Sequence, residues 1–484
     1  MSAATPASGP SSAIAPEILE RLKAVVGPGG YLDDPADIAP HVKSWRGNWT
    51  GTSPLVLRPK NTAEVAAIVK ICAETRTPIV PQGGNTGLTY GGQPSTDGRE
   101  VVVTTQRMKA IRAIDLQNDT ITVEAGVVLQ ELQRAAADAD RFFPLSLGAE
   151  GTCQIGGNIS TNAGGIQVLR YGNTRNLVLG LEVVLPDGRI WDGMRALRKD
   201  NTGYDLKQLF IGGEGTLGIV TAAVLKLFPR PTDQQSAWVA VETPEKAVDL
   251  LSLMRGRMGE AVSSFELIGR SIVDYLVEGV PGHTDPMSAV YPWYVLLEVT
   301  GQGAPGTLSD PLSATLEEAA EKELIQDAII ATSGEQAKRL WKMREDLPFA
   351  QQAAGGSIAH DVSVPLSRIA EFIQRADAAL LQAYPEIRFC CFGHVGDGNL
   401  HYNPICPVGW TYDRFARERD PVNKIVHDIV VELGGSISAE HGIGRMRLDE
   451  NLRYKSEVEI ELMKALKQAL DPQGIMSPGR VLPA

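Results

Sequence analysis

The sequence predicts an α+β protein in which short strands and helices are mixed along the whole chain. Three observations support this. Apolar strand-like runs recur between helical patterns over residues 17–230, Arg230-Pro231-Thr232-Asp233 interrupts the pattern, and a mixed pattern resumes beyond it. The 484 residues, 43% of them hydrophobic, suffice for two or three domains with substantial cores. We expect a disordered tail over 1–16, domains over 17–230 and 231–437, and a C-terminal segment over 438–484 that packs back on the first domain.

Local patterns place the elements along both halves. In the first half, Val65, Ile68 and Ile71 share one face of a predicted helix that Thr62 caps and that runs to residue 73. The predicted strands of this half are 55–59, 79–80, 101–105, 120–124, 181–185 and 219–228, with a second helix at 127–139. In the second half, the sequence predicts a strand at 293–299 and helices near 244–256, 310–322, 335–346, 366–382, 412–432 and 456–470.

Charge and cysteine content limit the class of partner and the compartment. The net charge is −12 and is spread along the chain, whereas nucleic acids and anionic membranes need a concentrated basic surface. We therefore expect no nucleic-acid partner. No apolar run approaches the roughly 20 residues that span a bilayer, and residues 1–16 lack the pattern of a secretory signal. Five cysteines without such a signal predict free thiols and a cytoplasmic location. Association with a membrane surface through an electron acceptor is compatible with this location.

A pair of histidines brackets a predicted hairpin turn. Asp397-Gly398 favours a two-residue type I′ turn, which would place His394 directly opposite His401. Opposed side chains have Cβ atoms roughly 5 Å apart, which is close enough for both imidazoles to bind one divalent metal. Glu440 is a candidate third ligand and His441 an adjacent base. Two histidines that merely satisfy hydrogen bonds in the core are the alternative, and the symmetry about the turn favours ligation.

Two glycine-rich clusters lie in the first half. Consecutive glycines let backbone N–H groups approach a phosphate closely, and neighbouring hydroxyl and amide side chains add donors. One cluster would leave ordinary tight turns equally plausible, but two in one predicted domain favour a large phosphorylated cofactor. The candidate residues are Gln82, Gly83, Gly84, Asn85, Thr86, Gly87 and Leu88 in the first cluster, and Gly148, Thr152, Gly156, Gly157, Asn158, Thr161, Asn162, Gly164 and Gly165 in the second.

A third glycine motif at 213–218 fits the G-x-G-x-x-G spacing of a dinucleotide-binding loop. That loop needs a strand before it and a helix after it. Here a helical pattern at 205–210 comes first and the strand-rich 219–228 follows. The motif therefore does not predict NAD binding.

The motifs PQGGNTGL, QIGGNISTNAGG and GTLGIV, followed by GHVGDGNLH, ISAEHGIG and SPGRVL, together resemble one family. The chain is similar, over roughly residues 20–482, to the FAD-dependent D-2-hydroxy-acid dehydrogenases of the vanillyl-alcohol-oxidase flavoprotein fold. This resemblance implies a two-part FAD-binding domain and a substrate (cap) domain with an antiparallel sheet. The D-2-hydroxyglutarate and D-lactate dehydrogenases are the most similar members.

The resemblance also implies roles for individual residues. It places metal ligands on His394, His401 and Glu440, and the catalytic base on His441. It places a carboxylate-binding group on Arg344 and a substrate contact on Asn399. FAD would lie on the two glycine clusters, and Gly215, Gly218 and Ile219 of the third motif would join them. Two histidines and a glutamate suit Zn²⁺, although Mn²⁺ or Co²⁺ would also fit.

Three departures from the family pattern bear on cofactor and substrate. Some relatives tether FAD through a histidine in the first glycine loop, where this chain has Asn85 and Thr86, so we expect non-covalent FAD. Ala359 and His360 stand where close D-2-hydroxyglutarate enzymes carry a lysine before Asp361. Pro348 stands where a hydroxyl residue is expected. Both of these bear on recognition of a second substrate carboxylate.

The favoured function is FAD- and metal-dependent oxidation of a D-2-hydroxy acid, D-2-hydroxyglutarate first, by hydride transfer to flavin. The electrons would pass to an external acceptor such as an electron-transfer flavoprotein or a quinone, and we expect a homodimer. D-lactate or another D-2-hydroxymonocarboxylate is the alternative substrate. Two further hypotheses are a flavin-free metal hydrolase and a non-catalytic flavoprotein subunit of a larger complex.

Overall fold

The computed structural model describes residues 13–484. The first sheet is formed by four strands between residues 31 and 104. The sheet has the strand order β1-β2-β4-β3 and is parallel except for β1. Residues 1–12 of the predicted tail lie outside the described residues, and a helix begins at Pro16. Asn61, not Thr62, caps the helix after β2, because its side chain accepts the Glu64 N–H. The elements are α1 Pro16–Val26, β1 Tyr31–Leu32, α2 Pro35–Val42, β2 Val56–Leu57, α3 Thr62–Thr75, β3 Ile79–Gln82 and β4 Val101–Thr104.

A second, antiparallel sheet completes the first half with the strand order β5-β6-β10-β8-β9. Its inner face packs on α4 and α5 around Leu132, Ile159 and Leu181. A two-stranded ribbon of β7 and β11 lies beside it. The elements are β5 Ile111–Asp115, β6 Thr120–Glu124, α4 Leu129–Asp138, β7 Arg141–Phe142, α5 Ile155–Ser160, α6 Val168–Tyr171, α7 Thr174–Leu177, β8 Val178–Val184, β9 Ile190–Gly193, α8 Lys207–Phe210, β10 Ile219–Lys226 and β11 Phe228–Pro229.

The second half is organised on a seven-stranded antiparallel sheet with the order β15-β12-β14-β13-β17-β18-β16. Its three long strands are buried along nearly their whole length because helices cover both faces of the sheet. In β12, Val239 faces one core and Trp238 the other, as the two-residue period of a strand requires. The strands are β12 Asp233–Val241, β13 Val262–Gly269, β14 Trp293–Gly301, β15 Asp327–Ile330, β16 Val362–Ser363, β17 Cys391–Gly393 and β18 Asn399–Tyr402.

The helices that cover this sheet differ from the sequence prediction in three places, the first of which is a helix at Arg270–Gly279 that was not predicted. The helix predicted over 412–432 is two helices, because Pro421 has no N–H to donate to the preceding turn and is accepted only in the first turn of a new helix. The helix predicted over 335–346 continues through Pro348 to Ala353, where it buries Leu347 and Ala350. The helices are α9 Pro244–Met258, α10 Arg270–Gly279, α11 Ser309–Glu321, α12 Gly334–Ala353, α13 Ile369–Ala383, α14 Tyr412–Ala416 and α15 Arg419–Glu432.

The C-terminal segment contacts the first sheet again after helices α16 (Leu448–Tyr454) and α17 (Glu457–Leu470). Ile79 at the start of β3 donates to the Ile475 carbonyl at 2.8 Å and accepts from the Ser477 N–H at 2.8 Å. The buried Arg480 forms a two-point ion pair with Glu100, at 2.6 and 3.0 Å. The last residues are therefore part of the core of the first half. No helix within residues 13–484 is long and apolar enough to cross a membrane.

Candidate active site

A cleft opens where the first two glycine clusters and the third glycine motif meet. The side chains of Glu214 and His441 also line it. The predicted cofactor residues in its lining are Gln82, Gly83, Gly84, Asn85, Thr86, Gly87, Gly156, Gly157, Asn158, Thr161, Gly215, Gly218 and Ile219. The third motif thus lines the same cleft as the two clusters without forming a dinucleotide-binding loop. We call this space the cofactor cleft because it contains the predicted cofactor residues.

The shape of the cleft is set by backbone segments that pack closely against each other at Gly84 and Gly156. A Cβ on Gly84 would lie 2.1 Å from the Thr152 carbonyl oxygen, and a Cβ on Gly156 would lie 2.8 Å from the Cβ of Ala125. Neither position has room for a side chain. The glycines of the two clusters therefore let the loops pack against each other and leave backbone groups facing the cleft.

Six predicted cofactor residues are not part of this lining: Leu88, Gly148, Thr152, Asn162, Gly164 and Gly165. Three of them have another structural role. Thr152 supports Gly84 from behind, and Asn162 uses its side-chain oxygen to accept the Arg175 N–H at 2.8 Å. Gly164 lies beside Glu440, whose Oε1 would be 2.7 Å from an added Cβ. In the second cluster the sequence pattern therefore did not separate lining residues from supporting ones.

The histidine hairpin has a different register from the predicted one. Phe392 pairs with His401, so the connection spans 394–398 and His394 is not directly opposite His401. A type I′ turn needs positive φ at both central residues, but only Gly398, at 86°, has it, and Asp397 does not. Val395 is instead buried in the core, and the Gly396 N–H donates to the Phe265 carbonyl of β13 at 3.2 Å. The loop folds inward onto the sheet because these contacts outweigh the local turn preference.

The two histidines nevertheless converge with Glu440. One ligand atom from each of His394, His401 and Glu440 lies within 4.8 Å of the others. His394 Nε2 is 3.8 Å from Glu440 Oε1, and the two imidazole centroids are 5.6 Å apart. Asp361, Glu440 and His441 form an overlapping group with the same spacing. A strand, a loop and the C-terminal segment thus meet in one pocket.

Glu266 of β13 lies behind this pocket, and the sequence analysis missed it. Its side chain is fully buried; Oε1 accepts from His394 Nδ1 at 2.5 Å and Oε2 accepts from Arg344 Nε at 2.6 Å. Arg344 also lies over the Phe392 ring, 4.9 Å from the centroid. The one available signal was a glutamate inside the otherwise apolar end of a strand, Phe265–Gly269.

Asp361 is the second residue that sequence reasoning missed. Its buried carboxylate accepts the backbone N–H groups of Glu440 and His441 at 2.9 and 2.8 Å, and lies 3.5 Å from His441 Nδ1. Asn399, which is predicted to contact substrate, donates its amide to Asp361 at 3.0 Å and to the Val362 carbonyl at 2.9 Å. The Oδ1 of Asn399 has no partner within residues 13–484.

Burial and neighbouring charges set the protonation of the pocket. Burial lowers the pKa of His441 and that of His401, with the Asp361 carboxylate opposing both shifts. Burial raises the pKa of Glu440, against the positive charge of His394. Burial also acts to lower the pKa of His394, but the carboxylates of Glu266 and Glu440 outweigh it and raise that pKa to about 9. Neutral imidazole is the form in which histidine acts as a base or binds a metal, so a metal at His394 would displace the proton of Nε2.

Glu214 of the third glycine motif is hydrogen-bonded to the C-terminal segment at the edge of the cofactor cleft. Its carboxylate accepts the N–H groups of Ile443 and Gly444 at 2.8 and 2.7 Å. Thr89, which follows the first glycine cluster, accepts the Arg445 N–H at 2.9 Å and donates to the His441 carbonyl at 3.2 Å. These contacts bring His441 into the lining of the cleft.

The remaining histidines have packing partners. His360 is buried and donates through Nδ1 to the Tyr402 carbonyl at 2.9 Å. His427 is buried with its ring centroid 5.3 Å from that of His360. His283 contacts Asp346, and His41 contacts Gln82.

Sequence comparison identifies the family to which this geometry belongs. Residues 230–481 match the C-terminal domain of FAD linked oxidases, and residues 53–193 match an FAD binding domain. The chain is 36% identical over 480 residues to D-2-hydroxyglutarate dehydrogenase, mitochondrial, of Danio rerio, covering 99% of this chain and 88% of the relative. It is 37% identical over 467 residues to the enzyme of the same name from Arabidopsis thaliana, covering 96% and 81%. The chain belongs to the FAD-dependent D-2-hydroxy-acid dehydrogenases.

The fold of the dehydrogenase agrees with this assignment. A substrate-bound p-cresol methylhydroxylase superposes with a TM-score of 0.74 at 18% identity, over 96% of each chain. The predicted α+β fold with a vanillyl-alcohol-oxidase type FAD-binding domain is therefore confirmed. FAD as cofactor is confirmed too, and the flavin-free hydrolase hypothesis is wrong. So is the expected cytoplasmic location, because the Danio rerio and Arabidopsis thaliana relatives are named as mitochondrial enzymes.

Proposed function

We propose that the dehydrogenase oxidises D-2-hydroxyglutarate to the 2-oxo acid with the help of a divalent metal, and that an external acceptor reoxidises the flavin. One observation carries this proposal. Three potential ligand atoms, from His394, His401 and Glu440, lie within 4.8 Å of one another, next to His441 in the lining of the FAD cleft.

The donor set fits a divalent metal. His394 Nδ1 donates to Glu266, so Nε2, which lies 3.8 Å from Glu440 Oε1, is the nitrogen that would exchange its proton for a metal. A carboxylate bonded to the far nitrogen is the usual partner of a metal-binding histidine. Two imidazoles and one carboxylate leave a coordination position for substrate and suit Zn²⁺, Mn²⁺ or Co²⁺.

The cleft fits FAD held without a covalent bond. Its walls are loops of glycine, asparagine and threonine that present backbone N–H groups, the donors that bind a pyrophosphate. The first glycine loop, 82–88, contains no histidine. This composition supports non-covalent attachment.

Arg344 and His441 supply the protein's own chemistry. The Nε of Arg344 is engaged by Glu266, and its terminal N–H groups remain to bind the substrate carboxylate in a charge-assisted pair. His441, with a pKa lowered by burial, accepts the proton of the α-hydroxyl. Asp361 holds the backbone of His441 in place for that transfer. The metal supplies Lewis-acid polarisation of the hydroxyl, and FAD supplies the acceptor for the two electrons.

A monocarboxylate such as D-lactate is the second candidate substrate. Ala359, His360 and Pro348 give no cationic or hydroxyl group for a second carboxylate at those positions. His360 is also buried, with Nδ1 engaged by Tyr402. Against this, both relatives described above are named as D-2-hydroxyglutarate dehydrogenases.

Anaerobic bleaching of the flavin absorption band tests the proposal. We expect D-2-hydroxyglutarate to bleach the purified dehydrogenase rapidly and D-lactate slowly. Bleaching by D-lactate alone would move the substrate to the monocarboxylates. Equal rates before and after removal of bound metal by a chelator would contradict the metal-dependent step.

A further inference from the structure

Glu266 is a buried carboxylate whose two oxygens serve two different functional groups. Its side chain has no exposed surface, Oε1 is 2.5 Å from His394 Nδ1, and Oε2 is 2.6 Å from Arg344 Nε. His394 is a proposed metal ligand and Arg344 the proposed substrate-carboxylate group. One side chain therefore orients both.

A second glutamate of the same sheet shows that burial alone does not produce this arrangement. Glu298 of β14 lies opposite Ser264, two residues before Glu266 on the neighbouring strand. It is also buried, but it contacts the neutral groups of Gln234 and Ser263, and burial raises its pKa. For Glu266 burial acts in the same direction, yet Arg344 and His394 outweigh it and hold the pKa at about 2. Glu266 thus accepts from a guanidinium and an imidazole, whereas Glu298 accepts only from an amide and a hydroxyl group.

The two bonds of Glu266 constrain its partners differently. The bond to Nδ1 fixes the tautomer of His394 that carries hydrogen on Nδ1, which leaves Nε2 as the metal-binding atom. The bond to Nε fixes the plane of the Arg344 guanidinium, and with it the direction of the terminal N–H groups. A shift of Glu266 toward one partner would lengthen the contact with the other.

We propose that Glu266 is a positioning residue that couples metal binding at His394 to carboxylate binding at Arg344. This inference rests on the proposed metal site. Loss of the charge at position 266 weakens both functions at once, since no other carboxylate within residues 13–484 bonds to Arg344 or to His394 Nδ1. Neither function needs Glu266 to touch metal or substrate.

The test compares Glu266→Gln with Glu298→Gln in flavin-loaded, metal-stripped protein. Glutamine keeps the shape but presents an NH₂ group to one of two donors, which favours the His394 tautomer that cannot bind metal through Nε2. We expect Glu266→Gln to raise the Kd for Zn²⁺ about 10–100-fold. In the same proteins reloaded with saturating Zn²⁺, we expect it to raise the KM for D-2-hydroxyglutarate on the order of 10-fold. Glu298→Gln changes a buried carboxyl group of the same sheet that contacts neither His394 nor Arg344, and should change neither value by more than about twofold.

The His394→Ala variant separates failure of this inference from failure of the metal site. If His394→Ala loses Zn²⁺ while Glu266→Gln binds it as tightly as the native protein, the coupling role is refuted and the metal site stands. If His394→Ala retains Zn²⁺, the ligand assignment itself is wrong, and the coupling role with it. Should Glu266→Gln fail to fold, Glu266→Asp retains the charge but is too short to reach both partners. Native values for both Zn²⁺ affinity and KM in that variant would overturn the proposal.

Discussion

The cofactor cleft and the histidine pocket lie side by side but are built from different materials. The cleft is shaped by backbone: glycine loops in contact at Gly84 and Gly156, with few ionisable side chains. The pocket is shaped by buried side chains, in which Glu266 and Asp361 hold histidines that come from distant parts of the chain. The cleft should therefore be sensitive to added volume, and the pocket to lost charge or lost donors.

Removal of the proposed base should have the largest effect and should leave the cleft intact. We expect His441→Ala to lower kcat about 10²–10⁴-fold, the usual contribution of a general base. The ratio of flavin to protein should remain close to native, because backbone groups make most of the cleft. Stopped-flow reduction of the flavin measures the rate. A native rate would remove His441 as the base, and loss of flavin would break the division between the two regions.

Removal of a proposed ligand should affect the pocket alone. His394→Ala is expected to weaken Zn²⁺ binding by at least about 100-fold and to lower activity with it. The flavin spectrum should persist. Metal analysis of protein dialysed against a chelator, beside His283→Ala as a control histidine contacting Asp346 outside the pocket, measures the effect. Equal metal content in both variants would contradict the assignment.

A side chain added to the glycine loops should weaken FAD binding and leave Zn²⁺ binding unchanged. A methyl group at Gly84 would meet the Thr152 carbonyl oxygen at 2.1 Å, whereas at Gly256, in helix α9 and outside the cleft, it would meet nothing within 4 Å. We expect Gly84→Ala to cost about 1–3 kcal/mol in FAD binding or stability, and Gly256→Ala to retain native FAD content. The measurement is the flavin content and the Zn²⁺ affinity of both variants, each compared with the native protein. Normal flavin retention in Gly84→Ala would mean that the loops can separate without harm.

The contact that joins the regions should show the smallest effect. Glu214→Gln keeps an acceptor for one of the two N–H groups of Ile443 and Gly444 but loses the other. A loss of about 1–3 kcal/mol in the free energy of unfolding is expected, the cost of one unsatisfied buried donor. Urea unfolding followed by flavin fluorescence measures it. An unchanged midpoint would show that Thr89 alone suffices to hold the segment.

The difference between a cleft built from backbone and a pocket built from side chains also explains which site residues can be predicted from the sequence. The glycine clusters are local patterns, so most of the lining of the cleft could be named from sequence. The approach of His394 to His401 was also expected, although from the wrong register; the long-range contacts of Val395 and Gly396 decide the true loop. Glu266 lies 128 residues from His394 along the chain. No local pattern connects two such residues, and only the order of strands in the sheet brings them together.

The position of Glu440 and His441 along the chain has a consequence for biosynthesis. Both follow α15 in the sequence. Their backbone N–H groups donate to Asp361, and those of Ile443 and Gly444 donate to Glu214. A nascent chain that has emerged as far as α15 already contains the glycine clusters and the two histidines proposed as metal ligands, but it has neither the proposed base nor the proposed third ligand. We expect such a ribosome-bound intermediate to be catalytically silent, so that a partly made dehydrogenase cannot reduce flavin before its own fold is complete.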